Sequence, residues 1–382
     1  MSRILGSGSR ASRQGSSGPT IGVEEEFLLV DAHTAMLRMD NAAVARSASE
    51  LGLELQLELT QCQVETNTPI CHDARELRAH LLRMRTVAAA AALRHDCRLV
   101  ATAAPLIGPW RISVTDSDRY RAMAERYGAL ALEQGICGCH VHVDVPERET
   151  AIEVCNHVRP WLPILLALGG NSRIHRDLDT GFASWRWILW SRWPVSGPPP
   201  YFDSRRHYEA LVDMLVDSGT IMDERMVYWD VRPSSHLPTV EVRVSDVQPT
   251  VDDAVLLATI VRALVMTATR AIERGAGAPP VALETLRAAS WAAARVGVSG
   301  TALDPHTGRP KTPAALVGAL LDHVHDALDE LGEYRRVKSA LANRLEDGNG
   351  ADWQHRTLLR SGDLTQVVKL AVTRTVQDIA RW

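Results

Sequence analysis

Residues Ile21–Val30 read IGVEEEFLLV, three consecutive glutamates set between two apolar runs. The β-branched and apolar flanks call for a buried strand over Thr20–Val30, followed by a turn at Asp31–Thr34. Side chains alternate along a strand, so Glu24 and Glu26 share one face and Glu25 points to the other. Two carboxylates on one buried face repel unless a positive group lies between them, and a divalent cation is the usual answer. The bland alternative is an edge strand with solvated glutamates, which fits poorly with such apolar flanks.

Three other segments have the same character. Glu58 and Glu65 in ELTQCQVE are seven residues apart and fall on opposite faces of a regular strand; a turn or bulge near Gln61–Gln63 would let them converge. In Cys137-Gly-Cys139-His140-Val-His142 the two histidines share a face and the two cysteines take the other. That spacing suits paired imidazoles facing metal or phosphate better than a structural zinc site. In TVEVRVS, Val240, Val242 and Val244 face a core, with Glu241 and Arg243 opposite. The preceding Trp229-Asp-Val-Arg232-Pro adds an acid and an arginine on the expected partner strand.

Composition narrows the chemistry. Lysine occurs only at 311, 338 and 369, none in a G-x-x-x-x-G-K-[ST] context, so a P-loop is excluded and phosphate would be met by arginine and metal. A net charge of -4, with basic residues scattered, argues against a nucleic-acid surface. Six cysteines without a C-x-x-C pair suit reduced thiols in a cytoplasm. The first nineteen residues lack an apolar h-region and read as a disordered lead-in, and no apolar run reaches bilayer length.

The remaining pattern gives an extended stretch over Leu51–Thr68, a helix from Asp73 to about His95, and strands at Arg98–Ala104 and Gly138–Val145. A helix over Glu147–Leu168 is interrupted near Pro160 and Pro163. Trp185, Trp187, Trp190 and Trp193 precede a stiff SGPPPYF loop and form either a buried wall or a pocket lining. Val227–Val231 pairs with Thr239–Ser245. Helices follow at Val255–Ile272, Ala282–Arg295, Ala314–Leu331, Tyr334–Leu345 and Leu364–Ala380. The expectation is one α+β domain over 20–382, an antiparallel sheet in 20–250 and helices in 251–382.

Taken together, carboxylates, histidines and arginines on one sheet face, without lysine, match what phosphoryl transfer from a nucleotide needs. The runs TIGVEEEFLLVD, ELTQCQVETNT, CGCHVHVDV, DTGFASWR, SRWPVSGPPPYF and YWDVRPSSHLPTVEVRVSDV closely resemble the carboxylate-amine ligase family, also called glutamate-cysteine ligase type 2. The likeness runs from about Thr20 to the C-terminal helices. It implies a glutamine-synthetase-like fold, an antiparallel half-barrel sheet with helices packed outside. It also implies an ATP-dependent joining of L-glutamate to an amine, typically cysteine, through a γ-glutamyl phosphate. Magnesium is the implied metal, as two or three ions, with manganese as a substitute, and a homodimer is common among relatives.

By motif, the resemblance makes Glu24, Glu26, Glu58, Glu65 and Glu241 metal ligands, with His140 or His142 joining them. It gives the nucleotide to His140, His142, Arg232 and Arg243, and catalysis to Arg243 and Glu241. Ser184, Arg186 and Trp229 fall to the substrate pocket. Asp144 and the run Asn171–His175 depart from the family pattern close to the expected substrate region.

Two other readings use the same residues: a two-metal hydrolase, which turns over without ATP, and a non-enzymatic module in which Cys137, Cys139 and the histidines bind structural zinc. Alternation itself makes a prediction. Glu24→Gln or Glu26→Gln is expected to abolish ATP-dependent activity, whereas Glu25→Gln leaves most of it; a middle glutamate as essential as its neighbours would overturn the strand-face assignment.

Overall fold

A computed structural model describes residues 18–377. The expected disorder before residue 18 and the end of the last predicted helix lie outside that range. Seven strands form the main sheet: β1 (Ile21–Asp31), β2 (Gln56–Leu57), β3 (Gln63–Asn67), β4 (Cys97–Val100), β5 (Gly138–Asp144), β6 (Val231–Pro233) and β7 (Thr239–Asp246). The order is β6-β7-β5-β1-β3-β2, with β4 also on β1, and every pairing is antiparallel. β1 is therefore central, as its apolar flanks require, and Asp31 closes it with a turn in which its carboxylate accepts from the Thr34 amide at 2.8 Å.

Helices used below are α1 (Asn41–Glu50), α2 (Ala74–Leu93), α3 (Asp118–Tyr127), α4 (Arg148–Val158), α5 (Leu162–Gly169), α6 (Trp185–Trp190), α7 (Val251–Glu273) and α8 (Leu283–Val296). Asp73 caps α2, accepting from the Glu76 amide. The proline break is present: a 3₁₀ turn at Arg159–Trp161 separates α4 from α5. The stretch 51–68 is less extended than alternation suggested, since only β2 and β3 pair and a turn at Gln61–Cys62 lies between them. Trp185–Trp190 is helical, and Ala314–Leu331 divides at Val324 into Pro313–His323 and His325–Glu330. The C-terminal half also holds a small hairpin, Ala302–Asp304 with Arg309–Lys311.

One face of the sheet packs on α2, α4 and α7 through Val141, Val143, Val240, Val242, Leu77 and Val261. α7 is long and apolar enough to cross a bilayer by composition alone, and 67% of its apolar stretch is buried within the protein, as in a core helix. Glu25 points into this packed face. Its carboxylate meets Arg85 of α2 at 2.6 and 3.0 Å, and both side chains are fully buried. The remaining Arg85 donors reach the carbonyls of Gln248, Pro249 and Thr375. Burial works against the guanidinium's charge, but Glu25 more than offsets it and raises the Arg85 pKa.

Glu25 thus holds β1 to α2 and to the C-terminal segment. Removing one partner of such a pair leaves a buried charge uncompensated, which costs about 3–5 kcal/mol. Glu25→Gln and Arg85→Met are each expected to lower stability by that amount in denaturant melts, while the folded fraction keeps its activity. A change below about 1 kcal/mol in both would remove the pair from its structural role.

Candidate active site

The opposite face of β1 carries the polar cluster. Register sets it: Glu24 lies across from His140, Glu26 from Glu65, His142 from Glu241, and Glu241 from Arg232. Glu58 sits just after β2, and the turn before β3 brings it back beside Glu65. Glu26, Glu58 and Glu65 each offer an oxygen within 4.8 Å of the others. Glu24, His142 and Glu241 form a second such group, and Glu24, Glu65 and His140 a third that links the two. All five expected carboxylates and both histidines therefore converge. No cysteine belongs to these groups among the described residues, and all six cysteines are free and buried, so Cys137 and Cys139 do not join the histidines as the zinc reading required.

Individual contacts order the cluster. Glu24 lies 3.1 Å from His140 Nδ1 and 3.2 Å from His142 Nε2. His142 Nδ1 meets the Thr239 hydroxyl at 2.9 Å, fixing the ring so that Nε2 faces the acids. The backbone amide of Gly138 donates to Glu26 at 2.6 Å. A Cβ at Gly138 would collide with the Arg186 guanidinium and the His140 ring, so any larger residue here would have to displace both. Glu241 accepts from Arg232 Nε at 2.8 Å and also contacts Arg243 Nη1. Alternation along β7 keeps Arg243 on the face of Glu241, with Val240, Val242 and Val244 buried on the other, and the pairing of β7 with β5 shifts register between Val242 and Ser245.

The charges are unevenly met. At Glu241 burial raises the pKa, but Arg232 and Arg243 outweigh it and hold the carboxyl well below the usual range. Burial acts the same way on Glu24, and hydrogen bonds from His140 and His142 overcome it, again lowering the pKa. At the other end, burial and the neighbouring Glu26 carboxylate push Glu58 up to about 7, and burial with Glu58 and Glu24 raises Glu65 well above its ordinary value. Among the described residues the three-glutamate group has no arginine ion pair, and its oxygens lie close enough together to hold a cation. Carboxylate oxygens in this number suit a hard divalent ion.

Two spaces adjoin the cluster. An inner chamber of about 140 Å³ is lined by Glu26, Glu58, His140, Arg186, Trp190 and Arg243, among others. An outer cleft of about 640 Å³ runs past Glu24, Glu65, Asn67, His142, Asp144 and Thr239. A further cavity of about 570 Å³ lies between α5, α8 and the small hairpin, and none of the cluster residues lines it.

Three expected site residues stand elsewhere. Ser184 caps α6, fully buried, and donates to Asp246 at 2.7 Å. Trp229 packs among Phe202 and Tyr208. Arg232 is turned away behind Glu241, bonded to the carbonyls of Arg225 and Val227. Each supports the site from outside either space. Arg186 does line the chamber, held by Gly138 spacing and the carbonyls of Arg243 and Val244. Asp144 lines the outer cleft, whereas Asn171 and Ser172 are buried partners of Asp246. Sequence reasoning missed Arg119, Tyr120, Gln63, Gln134 and Tyr228, all of which line the chamber. Arg119 and Tyr120 open α3, which Ser117 caps and Gly128 ends; those start and stop signals were present in DSDRYRAMAERYG.

The sequence matches the model of glutamate-cysteine ligase family 2 over residues 20–370. The chain belongs to that family. A Nocardia farcinica protein provisionally named glutamate–cysteine ligase 2-1 is 51% identical over 362 residues, covering 95% of this chain and 94% of its own. A Mycolicibacterium vanbaalenii protein provisionally named glutamate–cysteine ligase 2-2 is 49% identical over 360 residues, 94% of this chain and 99% of that one. Among solved structures, a glutamate–cysteine ligase from Francisella tularensis, crystallised with AMP, superposes with a TM-score of 0.73 at 13% identity, covering 96% of this chain and 89% of the other. The fold is thus the α+β, glutamine-synthetase-like one of the ligase family.

In this family member the raised Glu58 and Glu65 pKa values bear on stability. A carboxyl whose folded pKa exceeds its unfolded value contributes stability that is present below about pH 4.5 and is lost as pH rises through the folded value. For Glu58 that window runs from about 4.5 to about 7, and the loss is on the order of 3 kcal/mol. Glu24 and Glu241, held low, lose their contribution only on acidification below the ordinary range. Thermal melts in chelator should therefore fall between about pH 5 and pH 7.5, and stabilisation by an added divalent cation should grow across the same interval, because ligands must be deprotonated. A cation effect independent of pH would sink this account.

Proposed function

We propose that this chain is an ATP- and divalent-cation-dependent carboxylate–amine ligase that activates the side-chain carboxylate of L-glutamate and joins it to an amino acid such as cysteine. The observation that carries the reading is the pair of carboxylate groups joined through Glu24, flanked by Arg243, on the open face of a ligase-family sheet. Glu26, Glu58 and Glu65 would hold one magnesium ion and Glu24, His142 and Glu241 another, with His140 beside both. Such ions, for which manganese can substitute, screen phosphate charge and orient the phosphates for in-line transfer.

The chain's own groups fit the two steps. Transfer of the γ-phosphoryl group to a carboxylate oxygen releases ADP and gives an acyl phosphate; the amine then attacks the carbonyl carbon, loses a proton, and phosphate departs with the bonding electrons. A chamber of about 140 Å³ with Arg186 and two amides, Gln63 and Gln134, suits one small amino acid. The larger cleft suits a nucleotide. Arg243 has two demands on one guanidinium: it neutralises Glu241 in the free protein, and a phosphate arriving there would compete for the same donor, as a cation would for the Glu241 carboxylate. Arg232, committed behind Glu241, keeps that carboxylate ionised when Arg243 turns away.

The test is phosphate release from ATP with magnesium and L-glutamate, adding amines singly and cysteine first. Release that needs glutamate and one particular amine, with a γ-glutamyl product by mass, is the expected result. Glu58→Gln and Glu65→Gln should each lower kcat by about 10²-fold or more, as expected for loss of a metal ligand or its support. Turnover of an ester or amide without ATP would replace the ligase with the hydrolase.

A further inference from the structure

The chamber and the cleft are lined in common by three residues: Glu58, Arg119 and Tyr120. Of these, Arg119 alone carries positive charge. Its two terminal nitrogens meet both oxygens of Asp223, Nη2 to Oδ1 at 3.1 Å and Nη1 to Oδ2 in a closer contact. Asp223 is itself fixed, its Oδ1 also accepting from the Arg225 amide at 3.0 Å. On the other side, the Tyr120 hydroxyl donates to the Leu57 carbonyl at 3.0 Å, which fastens α3 to the residue preceding Glu58. The guanidinium is thus held from two elements beside an acid of the three-glutamate group.

The other two arginines of the chamber are placed differently. Arg243 is engaged with Glu241, and Arg186 lies against the Arg243 and Val244 carbonyls at the chamber's back. If the chamber takes the donor amino acid and the cleft the nucleotide, the phosphoryl group crosses at their boundary. We propose that Arg119 is a catalytic residue that neutralises the oxygens of the phosphoryl group in transit, and that Asp223 is its positioning residue. The proposal rests on the ligase reading above. In the step concerned, the bond from the γ-phosphorus to the β,γ-bridging oxygen breaks, and ADP keeps the electron pair. A bond forms from that phosphorus to a donor carboxylate oxygen, and no proton moves. Charge spreads over the three equatorial oxygens, where a preorganised arginine is worth most.

The experiment compares Arg119→Ala, Arg119→Lys and Asp223→Asn with the wild-type full-length chain, following ADP formation under saturating magnesium. Arg119→Ala should lose about 10³-fold in kcat with KM for ATP and for the donor changed by less than about threefold. Lysine keeps the charge but not the fork, and should recover part of the loss. Asp223→Asn should cost roughly tenfold, as a displaced rather than absent guanidinium. Added guanidinium ion should restore Arg119→Ala in part, which a purely structural defect would not allow, and the melting temperatures should stay close to wild type. A kcat within about threefold of wild type in Arg119→Ala would overturn the proposal. So would a loss confined to KM for the amine, which would make Arg119 an acceptor contact. If the wild-type chain makes no ADP with any donor and amine, the ligase reading itself has failed; if the wild type turns over and the variants match it, only the role of Arg119 has.

Discussion

Five carboxylates gathered on one face of a buried sheet repel one another, and the surrounding structure is arranged around that repulsion. At one end it is met by protein: Arg232 and Arg243 on Glu241, and two imidazoles on Glu24. At the other end Glu26, Glu58 and Glu65 approach without a guanidinium pairing to them among the described residues, and burial drives protons onto Glu58 and Glu65 instead. The asymmetry separates a half whose charges are met by protein groups from a half that could hold a cation. It also explains why β1 is central. Pairing on both sides with β3 and β5 supplies the acids and imidazoles in register, which an edge strand could not do.

The other face of β1 has the same difficulty in miniature. Glu25 faces the core, where an unpaired carboxylate would cost several kcal/mol, and Arg85 answers it, its spare donors taken up by three backbone carbonyls. The three-glutamate run is therefore two charge problems solved back to back. The arginine comes from α2, and its spare donors reach segments near residues 248–249 and 375, so the pair ties the sheet to the C-terminal helices.

What could be read from the sequence was what alternation controls. The split of Glu24 and Glu26 from Glu25, the shared face of His140 and His142, the inward valines of β7 and the convergence of Glu58 with Glu65 through a turn at Gln61–Cys62 all follow from period two and one break in it. Alternation says nothing about how far a side chain reaches or which neighbour claims it. Arg232 and Ser184 belonged to the right motifs, yet their donors are spent on Val227 and Asp246, contacts fixed by tertiary approach. Trp229 likewise went to the aromatic cluster with Phe202 and Tyr208. The helix carrying Arg119 and Tyr120 had visible caps, but its apolar side, with Met123 buried, packs into a satellite core that no local pattern announces, and so its place at the cleft was hidden.

The consequence for energetics is that the site is not built at a stability optimum. Burial, and then the neighbouring carboxylates, raise the pKa values of Glu58 and Glu65 and favour their protonated forms in the folded chain. A hydrophobic or amide replacement at one of these positions would relieve the repulsion and could stabilise the metal-free protein, as removal of active-site strain does elsewhere. The cost is tolerated because local consistency holds around it: strands of matching register, alternation that keeps Arg243 beside Glu241, and Gly138 leaving room for Arg186 against His140. A stabilised variant that has lost its activity would therefore mark the same residues as an inactivated one, and the two effects share a single electrostatic origin.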